Sequence, residues 1–149
     1  MKTMIVAVDK TNVAAAAQVH SASWRESHRS FCDPDFIALH SPERQREYIE
    51  RKMRSGTAFY MLVDGGPVGI VSVTGDLIED LYVLPEKQGM GYGTELLKFA
   101  VGKCEGIPTL WILENNVMAA EFYRGKGFRE TGRIGSVADG LDEIEFELK

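Results

Sequence analysis

The chain has 149 residues, of which 44% are hydrophobic and 26% are charged, and this composition predicts one globular domain over residues 1–149 with a continuous core. A net charge of −5 without a Lys/Arg cluster argues against nucleic acid as a partner. No apolar run is long enough to span a bilayer, so we expect no membrane partner. The apolar start turns polar at Asp9 and Lys10, which is too early for a signal peptide, and a cytoplasmic location follows as the default.

The first third of the chain predicts a strand and two helices. The strand covers residues 5–8, and the first helix covers residues 12–25. One face of this helix is apolar, and its members recur at helical spacing: Val13, Ala16, Ala17, His20 and Trp24. Residues 26–40 are expected to be irregular, and a second helix begins at Pro42, the favoured first position for proline, and ends near residue 54.

The middle of the chain predicts an antiparallel meander. Three strands, over residues 58–63, 68–73 and 77–84, are joined by two turns that contain glycine and aspartate. Because side chains alternate along a strand, the third strand is expected to present one set of residues together: Leu77, Glu79, Leu81 and Val83. Asp80 and Tyr82 are expected to point to the other face.

Beyond the meander, helices and strands alternate. We expect a helix over residues 91–103, a strand over residues 109–113 and a helix over residues 116–124. A short strand is expected near residues 129–134, and the last strand alternates glutamates with a buried set: Ile144, Phe146 and Leu148. A meander that leads into a β-α-β unit predicts an α/β fold: a mixed, mostly antiparallel sheet of six to seven strands flanked by helices on both faces.

The strongest local signal is a glycine-rich loop between the third meander strand and the next helix. Its sequence is Gln88-Gly89-Met90-Gly91-Tyr92-Gly93, followed by Thr94. Glycines permit unusual backbone angles, and free amides at a helix start favour an anion, so the loop predicts a diphosphate site. It lacks the Gly-Lys-Ser/Thr end of a Walker A loop, and its glycine spacing differs from GxGxxG. From the loop alone, a glycine-rich turn without a ligand is an equal alternative.

Two motifs resemble those of the GNAT superfamily of acetyltransferases. The family's phosphate motif, Gln/Arg-x-x-Gly-x-Gly/Ala, is matched by residues 88–93. A second family motif, Asn-x-x-Ala-x-x-Phe-Tyr-x-x-x-Gly-Phe, is matched in full by residues 116–128. Residues 81–85 are similar to the family's fourth strand and the turn after it. The motifs stand in the family's order, and the predicted elements extend the resemblance over nearly the whole chain.

The resemblance implies an acyltransferase whose co-substrate is acetyl-CoA. The pyrophosphate of CoA would lie against the glycine-rich loop, which comprises Gln88, Gly89, Met90, Gly91, Tyr92, Gly93 and Thr94. The pantetheine arm would enter a gap between two strands, where it would contact Leu81, Tyr82, Val83 and Asn116. The amide of Val83 would polarise the thioester carbonyl.

The same resemblance places Tyr123 near the sulfur, where it would protonate the departing thiolate. The acid–base chemistry agrees, because a phenol with a pKa of about 10 can protonate a thiolate whose conjugate acid has a pKa of about 8.5. A core aromatic beside Phe122 is the alternative interpretation of Tyr123.

The acceptor amine must lose a proton before it attacks, which requires a general base. Glu79 is the first candidate and Asp80 the second, and the alternative for Glu79 is a solvated acid at a sheet edge. The resemblance places the acceptor pocket against the first helix and the loop after it, and the expected walls are Trp24, His28, Phe31 and Tyr60. His20 is interpreted as a core histidine. No pair of histidines has the spacing of metal ligands, so no metal is predicted.

We therefore predict transfer of an acetyl group from acetyl-CoA to a primary amine of a small molecule. Both substrates would be bound together, without an acyl-enzyme, because Cys104 falls late in its helix and away from the expected thioester. Two alternatives stay open: a transferase that acts on a protein N-terminus or lysine, and a non-catalytic module that binds acyl-CoA. Homodimers are common in the superfamily, which makes a homodimer an expectation from the resemblance.

Overall fold

The computed structural model describes residues 3–30 and 32–149, so the expected pocket residue Phe31 lies outside the described part. The described chain forms seven strands, five α-helices and a 3-10 turn at Pro85–Lys87. The elements in chain order are β1 (Met4–Ala7), α1 (Val13–His28), α2 (Pro34–Ala38), α3 (Pro42–Arg54), β2 (Ala58–Val63), β3 (Pro67–Thr74), β4 (Leu77–Val83), α4 (Tyr92–Lys103), β5 (Thr109–Leu113), α5 (Val117–Gly125), β6 (Phe128–Ala138) and β7 (Leu141–Leu148). No helix among these is long and apolar enough to cross a membrane.

The seven strands form one sheet in the order β1-β2-β3-β4-β5-β7-β6. Five of the six neighbouring pairs are antiparallel, and only β4 and β5 run parallel. The mixed, mostly antiparallel sheet predicted from the sequence is confirmed. The parallel pair follows from chain connection, because α4 carries the chain back between β4 and β5 as parallel neighbours require.

Helices cover both faces of this sheet. On one face, α4 and α5 bury Leu96, Ala100 and Ala120 against the strands. On the other, α1 and α3 bury Val13, Ala16 and Ile49. Strand β3 shows the division, since its consecutive residues Ile70 and Val71 are both fully buried but belong to the two different cores. The double coverage explains why β3 is a nearly continuous apolar run.

Three stretches differ from the sequence-based expectation. Helix α1 continues to His28, because the ring of His28 stacks on Trp24 one turn earlier at a centroid distance of 4.0 Å. Residues 34–38, expected to be irregular, form α2, and the backbone amide of Asp35 donates to the capping carboxylate of Asp33 at 2.8 Å. Strand β6 spans eleven residues. In its partner β7, Glu145 was expected on the solvent-facing side, but it is buried and accepts a hydrogen bond from Thr131 at 2.8 Å.

Strand β4 contains a β-bulge that breaks its alternation. Ser72 of β3 pairs with Glu79 and Ile70 pairs with Tyr82, so one residue of β3 opposes Asp80 and Leu81. The extra residue turns Glu79 and Asp80 toward the same face, where both contact residues of α3. The expectation that Glu79 shares a face with Leu81 was therefore wrong, since Leu81 packs in the opposite core.

Candidate functional site

The site begins where β4 and β5 separate. Their register contains a single pair, Leu77 with Thr109, and beyond it the two parallel strands diverge. The amide of Leu84 donates to the carbonyl of Val68 in β3 at 2.9 Å. Because successive backbone groups of a strand point in opposite directions, the amide of Val83 faces away from β3, toward the gap. The side chain of Gln88 donates to the Val83 carbonyl at 3.1 Å on this open side. The expected splay of the strands is confirmed.

The glycine-rich loop closes one end of this gap. Gly89 and Gly91 have φ angles of 79° and 87°, in the left-handed region that glycine adopts without a steric penalty. Gly91 is the N-cap of α4, so the loop delivers the first amides of that helix and the positive end of its dipole to one place. This geometry suits an anion.

A cavity of about 880 Å³ extends from the loop along the gap. Its walls include most of the residues expected to hold the cofactor: Leu81, Tyr82, Val83, Gln88, Gly89, Gly91, Tyr92, Gly93, Thr94, Asn116 and Tyr123. The exception is Met90, whose side chain is 60% exposed and which does not line the cavity. The lining also contains Lys87 and Lys126, which add positive charge near the loop. We call this space the first cavity.

A second cavity, of about 370 Å³, meets the first. Five residues line both spaces: Leu81, Tyr82, Asn116, Ala119 and Tyr123. The two cavities therefore join at β4 and at the first turns of α5. This second cavity is lined by Trp24 and His28 of α1, two of the expected acceptor residues, together with Glu79 of β4.

Helix α5 presents Tyr123 at the junction of the cavities. Asn116 is the N-cap of this helix, and its side-chain oxygen accepts a hydrogen bond from the amide of Ala119 at 3.1 Å. The Tyr123 ring is 9% exposed and packs edge to face against Phe128. Burial, with a contribution from the negative charge of Asp80, raises the pKa of Tyr123 above its ordinary value. The phenol is therefore protonated at neutral pH and can act as a hydrogen-bond donor in both cavities.

The two candidate carboxylates have different surroundings. Glu79 lies 3.2 Å from Nζ of Lys52 and accepts a bond from Thr74 at 3.2 Å. Asp80 accepts bonds from Ser72 and Tyr48 at 2.9 Å each. It also lies 3.2 Å from Nε2 of His20, whose Nδ1 contacts the side-chain amide of Gln45.

The partners of Asp80 control its charge. Burial of Asp80 opposes ionisation, but the bonds from His20, Ser72 and Tyr48 outweigh it, so its pKa lies below the ordinary value. The interpretation of His20 as a core histidine is confirmed: the ring is 2% exposed and is bonded on both nitrogens.

The far wall of the second cavity is a stack of three rings. Trp24 lies between His28 and His40, with centroid distances of 4.0 and 3.5 Å and interplanar angles of 9°. The Nδ1 atoms of His28 and His40 lie 2.8 and 3.0 Å from the backbone carbonyls of Trp24 and Phe36. Burial lowers the pKa of both histidines, that of His28 to about 4, so both rings are neutral at pH 7.

One expected wall residue lies elsewhere. Tyr60 packs against Phe99 and Lys103 of α4, and it lines neither cavity of the described structure. The reason is that both faces of β2 are buried, so its sequence does not distinguish the pocket side from the α4 side.

Sequence reasoning also missed several residues that line the second cavity: Phe36, His40, Tyr48, Trp111 and Glu143. Burial, and after it the charge of Glu79, raises the pKa of Glu143. Tyr48 and Glu143 come from α3 and β7, far from either motif in sequence, and no local signal marks them.

The segment that forms this site is similar to a known protein family. A family model described as an acetyltransferase (GNAT) domain matches residues 54–130, which is more than half of the chain. The chain belongs to the GNAT acetyltransferase family. The matched GNAT segment runs from the end of α3 to the start of β6, so it contains the bulge, the glycine-rich loop and Tyr123.

Curated relatives of this GNAT chain match over a shorter segment. Over 67 residues it is 36% identical to the peptidyl-lysine N-acetyltransferase YjaB of Salmonella typhimurium and 33% identical to YjaB of Escherichia coli. These matches cover 45% of the chain, and 46% and 45% of the two relatives, so the aligned region spans less than half of each curated protein.

Solved GNAT structures match the whole fold. PaiA N-acetyltransferase from Thermoplasma acidophilum in complex with coenzyme A superposes with a TM-score of 0.73 at 20% identity, over 100% of both chains. A GCN5-related N-acetyltransferase from Rhodopseudomonas palustris gives 0.76 at 22% identity, over 100% of this chain and 96% of that one. Apo YjaB from Escherichia coli gives 0.69 at 24% identity, over 99% and 97%. At these identities the likeness shows the fold.

Proposed function

We propose that this chain is an N-acetyltransferase that moves the acetyl group of acetyl-CoA to a primary amine of a small molecule. The main support is the junction of two cavities at the end of β4, where Leu81, Tyr82 and Tyr123 line both spaces. Such a junction suits direct transfer, because two substrates held in separate cavities would place their reacting groups together.

The first cavity is proposed to hold acetyl-CoA. Left-handed glycines, the N-terminus of α4 and two lysines provide positive potential for a pyrophosphate. The open edge of β4 offers backbone groups to the amides of a pantetheine arm, as an added strand would use them. PaiA, which shares the fold, has been crystallised with coenzyme A, and this supports the same ligand here.

The second cavity is proposed to hold the acceptor. Its lining includes the carboxylates Glu79, Asp80 and Glu143, and no lysine or arginine lines the part formed by described residues. Aromatic faces such as those of Tyr82 and Trp111 attract cations as well. A volume of about 370 Å³ lies at the small end of ligand pockets, which favours a small amine.

The proposed reaction uses groups already at the junction. The neutral amine nitrogen attacks the thioester carbon, and the Val83 amide stabilises the negative charge that develops on the carbonyl oxygen. The C–S bond then breaks, and the Tyr123 hydroxyl donates to the departing sulfur. Glu79 is proposed as the general base that accepts the proton lost by the amine, directly or through water.

Direct transfer is also supported by the positions of the cysteines. Cys104 donates to backbone carbonyls of Ala100 and Asp76, and burial raises the pKa of its thiol. Neither Cys104 nor Cys32 lines the cavities of the described structure. A cysteine that carried the acetyl group would need to reach the thioester as a thiolate.

Acetylation of a peptide lysine is the second candidate function. It is supported by the 36% identity with the peptidyl-lysine N-acetyltransferase YjaB over residues that span less than half of that protein. A lysine side chain is itself a slender primary amine, so the second cavity alone does not separate the two candidates.

An amine panel tests the proposed function. Small primary amines, lysine-containing peptides and peptides with a free N-terminus are each incubated with acetyl-CoA, and free thiol is measured. The proposal expects thiol release and a mass gain of one acetyl group on small amines. Thiol release with peptides and not with small amines would favour the second candidate function, acetylation of a peptide. Binding of acetyl-CoA without release on any acceptor would instead favour a non-catalytic acyl-CoA-binding module.

A further inference from the structure

Asp80 has an unusual backbone conformation. Its φ of 46° is the only positive φ of a non-glycine residue in the described chain. The left-handed region is disfavoured for residues that carry a Cβ atom, and aspartate and asparagine are among the least penalised. Strain of this kind is retained where the surrounding structure fixes it, and here the β-bulge fixes it. The bulge turns the Asp80 side chain toward α1 and α3.

The Asp80 carboxylate has room for one more donor. An ionised carboxylate offers about four acceptor positions. Ser72 and Tyr48 donate to one oxygen, and His20 donates to the other. The side chain is 12% exposed, and it lines the second cavity. A ligand in that cavity can therefore reach the carboxylate.

The same carboxylate is held ionised. Its three donors keep its pKa below the ordinary value despite burial, so it is negative throughout the neutral range. Its charge in turn raises the pKa of Tyr82 and of Tyr123, after the effect of burial on each. Asp80 thus lies within electrostatic range of the residues at the cavity junction.

Glu79 is less suited to hold a cation. Its carboxylate already has the Lys52 ammonium at 3.2 Å, which neutralises much of its charge. Asp80 instead has hydroxyl donors from Ser72 and Tyr48 and the imidazole of His20 at 3.2 Å, and no lysine or arginine of the described residues forms an ion pair with it. Two neighbouring carboxylates in unlike environments can take different roles.

On the basis of the proposed function, we propose that Asp80 anchors a protonated nitrogen of the acceptor and so selects cationic amines over neutral molecules of the same shape. The bulge places the carboxylate, and His20, Ser72 and Tyr48 preserve its charge. Glu79 is left to accept a proton. Asp80 is thereby a specificity-determining residue of the acceptor cavity.

The test compares two probes of equal shape, n-butylammonium and 1-butanol, binding to the protein saturated with CoA. We expect the wild type to bind the ammonium about ten-fold or more tightly than the alcohol. Asp80→Asn should reduce that preference to within about two-fold while the affinity for 1-butanol stays unchanged. Asparagine also tolerates the left-handed backbone, so the bulge is retained. Glu50→Gln, at a partly exposed acid of α3, controls for the change in net charge.

Three results would overturn the proposal. They are an undiminished ammonium preference in Asp80→Asn, an equal loss of affinity for both probes, and a loss of preference in Glu79→Gln alone. If Asp80→Asn does not fold, carboxyl ¹³C NMR of the wild type decides: the Asp80 signal should shift with n-butylammonium and stay in place with 1-butanol. Failure of the proposed function is seen separately, as absence of thiol release in the amine panel.

Discussion

The buried imidazole of His28 makes stability depend on pH in a defined window. The side chain is 4% exposed and stacks on Trp24, and its pKa falls from 6.5 to about 4, chiefly through burial and also through repulsion by His40 and His20. Between these values the unfolded chain binds a proton that the folded chain cannot bind. Acidification through this window therefore favours unfolding.

The size of this effect follows from the two pKa values. One unit is worth about 1.4 kcal/mol, so the full difference corresponds to roughly 3 kcal/mol. Most of that loss should develop between pH 7.5 and pH 4.5. It is a large fraction of the roughly 5–15 kcal/mol that stabilises a typical domain. His40 titrates in the same direction, whereas Asp80, with its lowered pKa, loses its contribution only at more acid pH.

The assay is urea unfolding at about pH 7.5 and about pH 4.5, followed by far-UV circular dichroism, for the wild type and for His28→Phe. Phenylalanine keeps a ring beside Trp24 but cannot take up a proton. We expect the free energy of unfolding of the wild type to fall by roughly 2 to 3 kcal/mol more than that of the variant. An equal fall in both proteins would refute the assignment of this pH dependence to His28.

Two further predictions concern the cofactor and the leaving group. Gly91→Val should abolish acetyl-CoA binding, because valine is disfavoured at a φ of 87° and the loop amides would turn away. The control is Gly102→Ala in α4, where no atom lies within 4 Å of the new methyl group. This variant should bind acetyl-CoA normally and gain up to about 1 kcal/mol of stability. Equal affinity in both variants, by calorimetry, would contradict the role of the loop. Tyr123→Phe should lower kcat by about a hundred-fold and leave KM for acetyl-CoA unchanged. If steady-state assays of this variant give the kcat of the wild type, Tyr123 has no role in the mechanism.

Local signals explain what could be predicted from the sequence. The bounds of β2 and β5 agree with the expected strands because apolar runs there end at turn residues. Proline at the first position placed the start of α3. The structure of the glycine-rich loop depends on consecutive residues. The second motif likewise places Asn116 at the cap and Tyr123 within one short helix.

The acceptor side depended on contacts between distant residues. The bulge at Asp80 is set by the register of β4 against β3, so alternation within β4 gave the wrong face for Glu79. The stack of Trp24 with His40 joins α1 to the residue before the cap of α3, across a stretch with no periodic pattern. Tyr60 lies on a strand with apolar residues on both faces, where polarity cannot identify the pocket side.

The proposed function requires that CoA binds at the start of α4 and along β4. Isothermal titration of the folded protein with acetyl-CoA tests this directly, with Gly91→Val as the matched variant. We predict saturable one-to-one binding to the wild type and none to the variant. Absence of saturable binding to the folded wild type, for both acetyl-CoA and CoA, would contradict the proposed function.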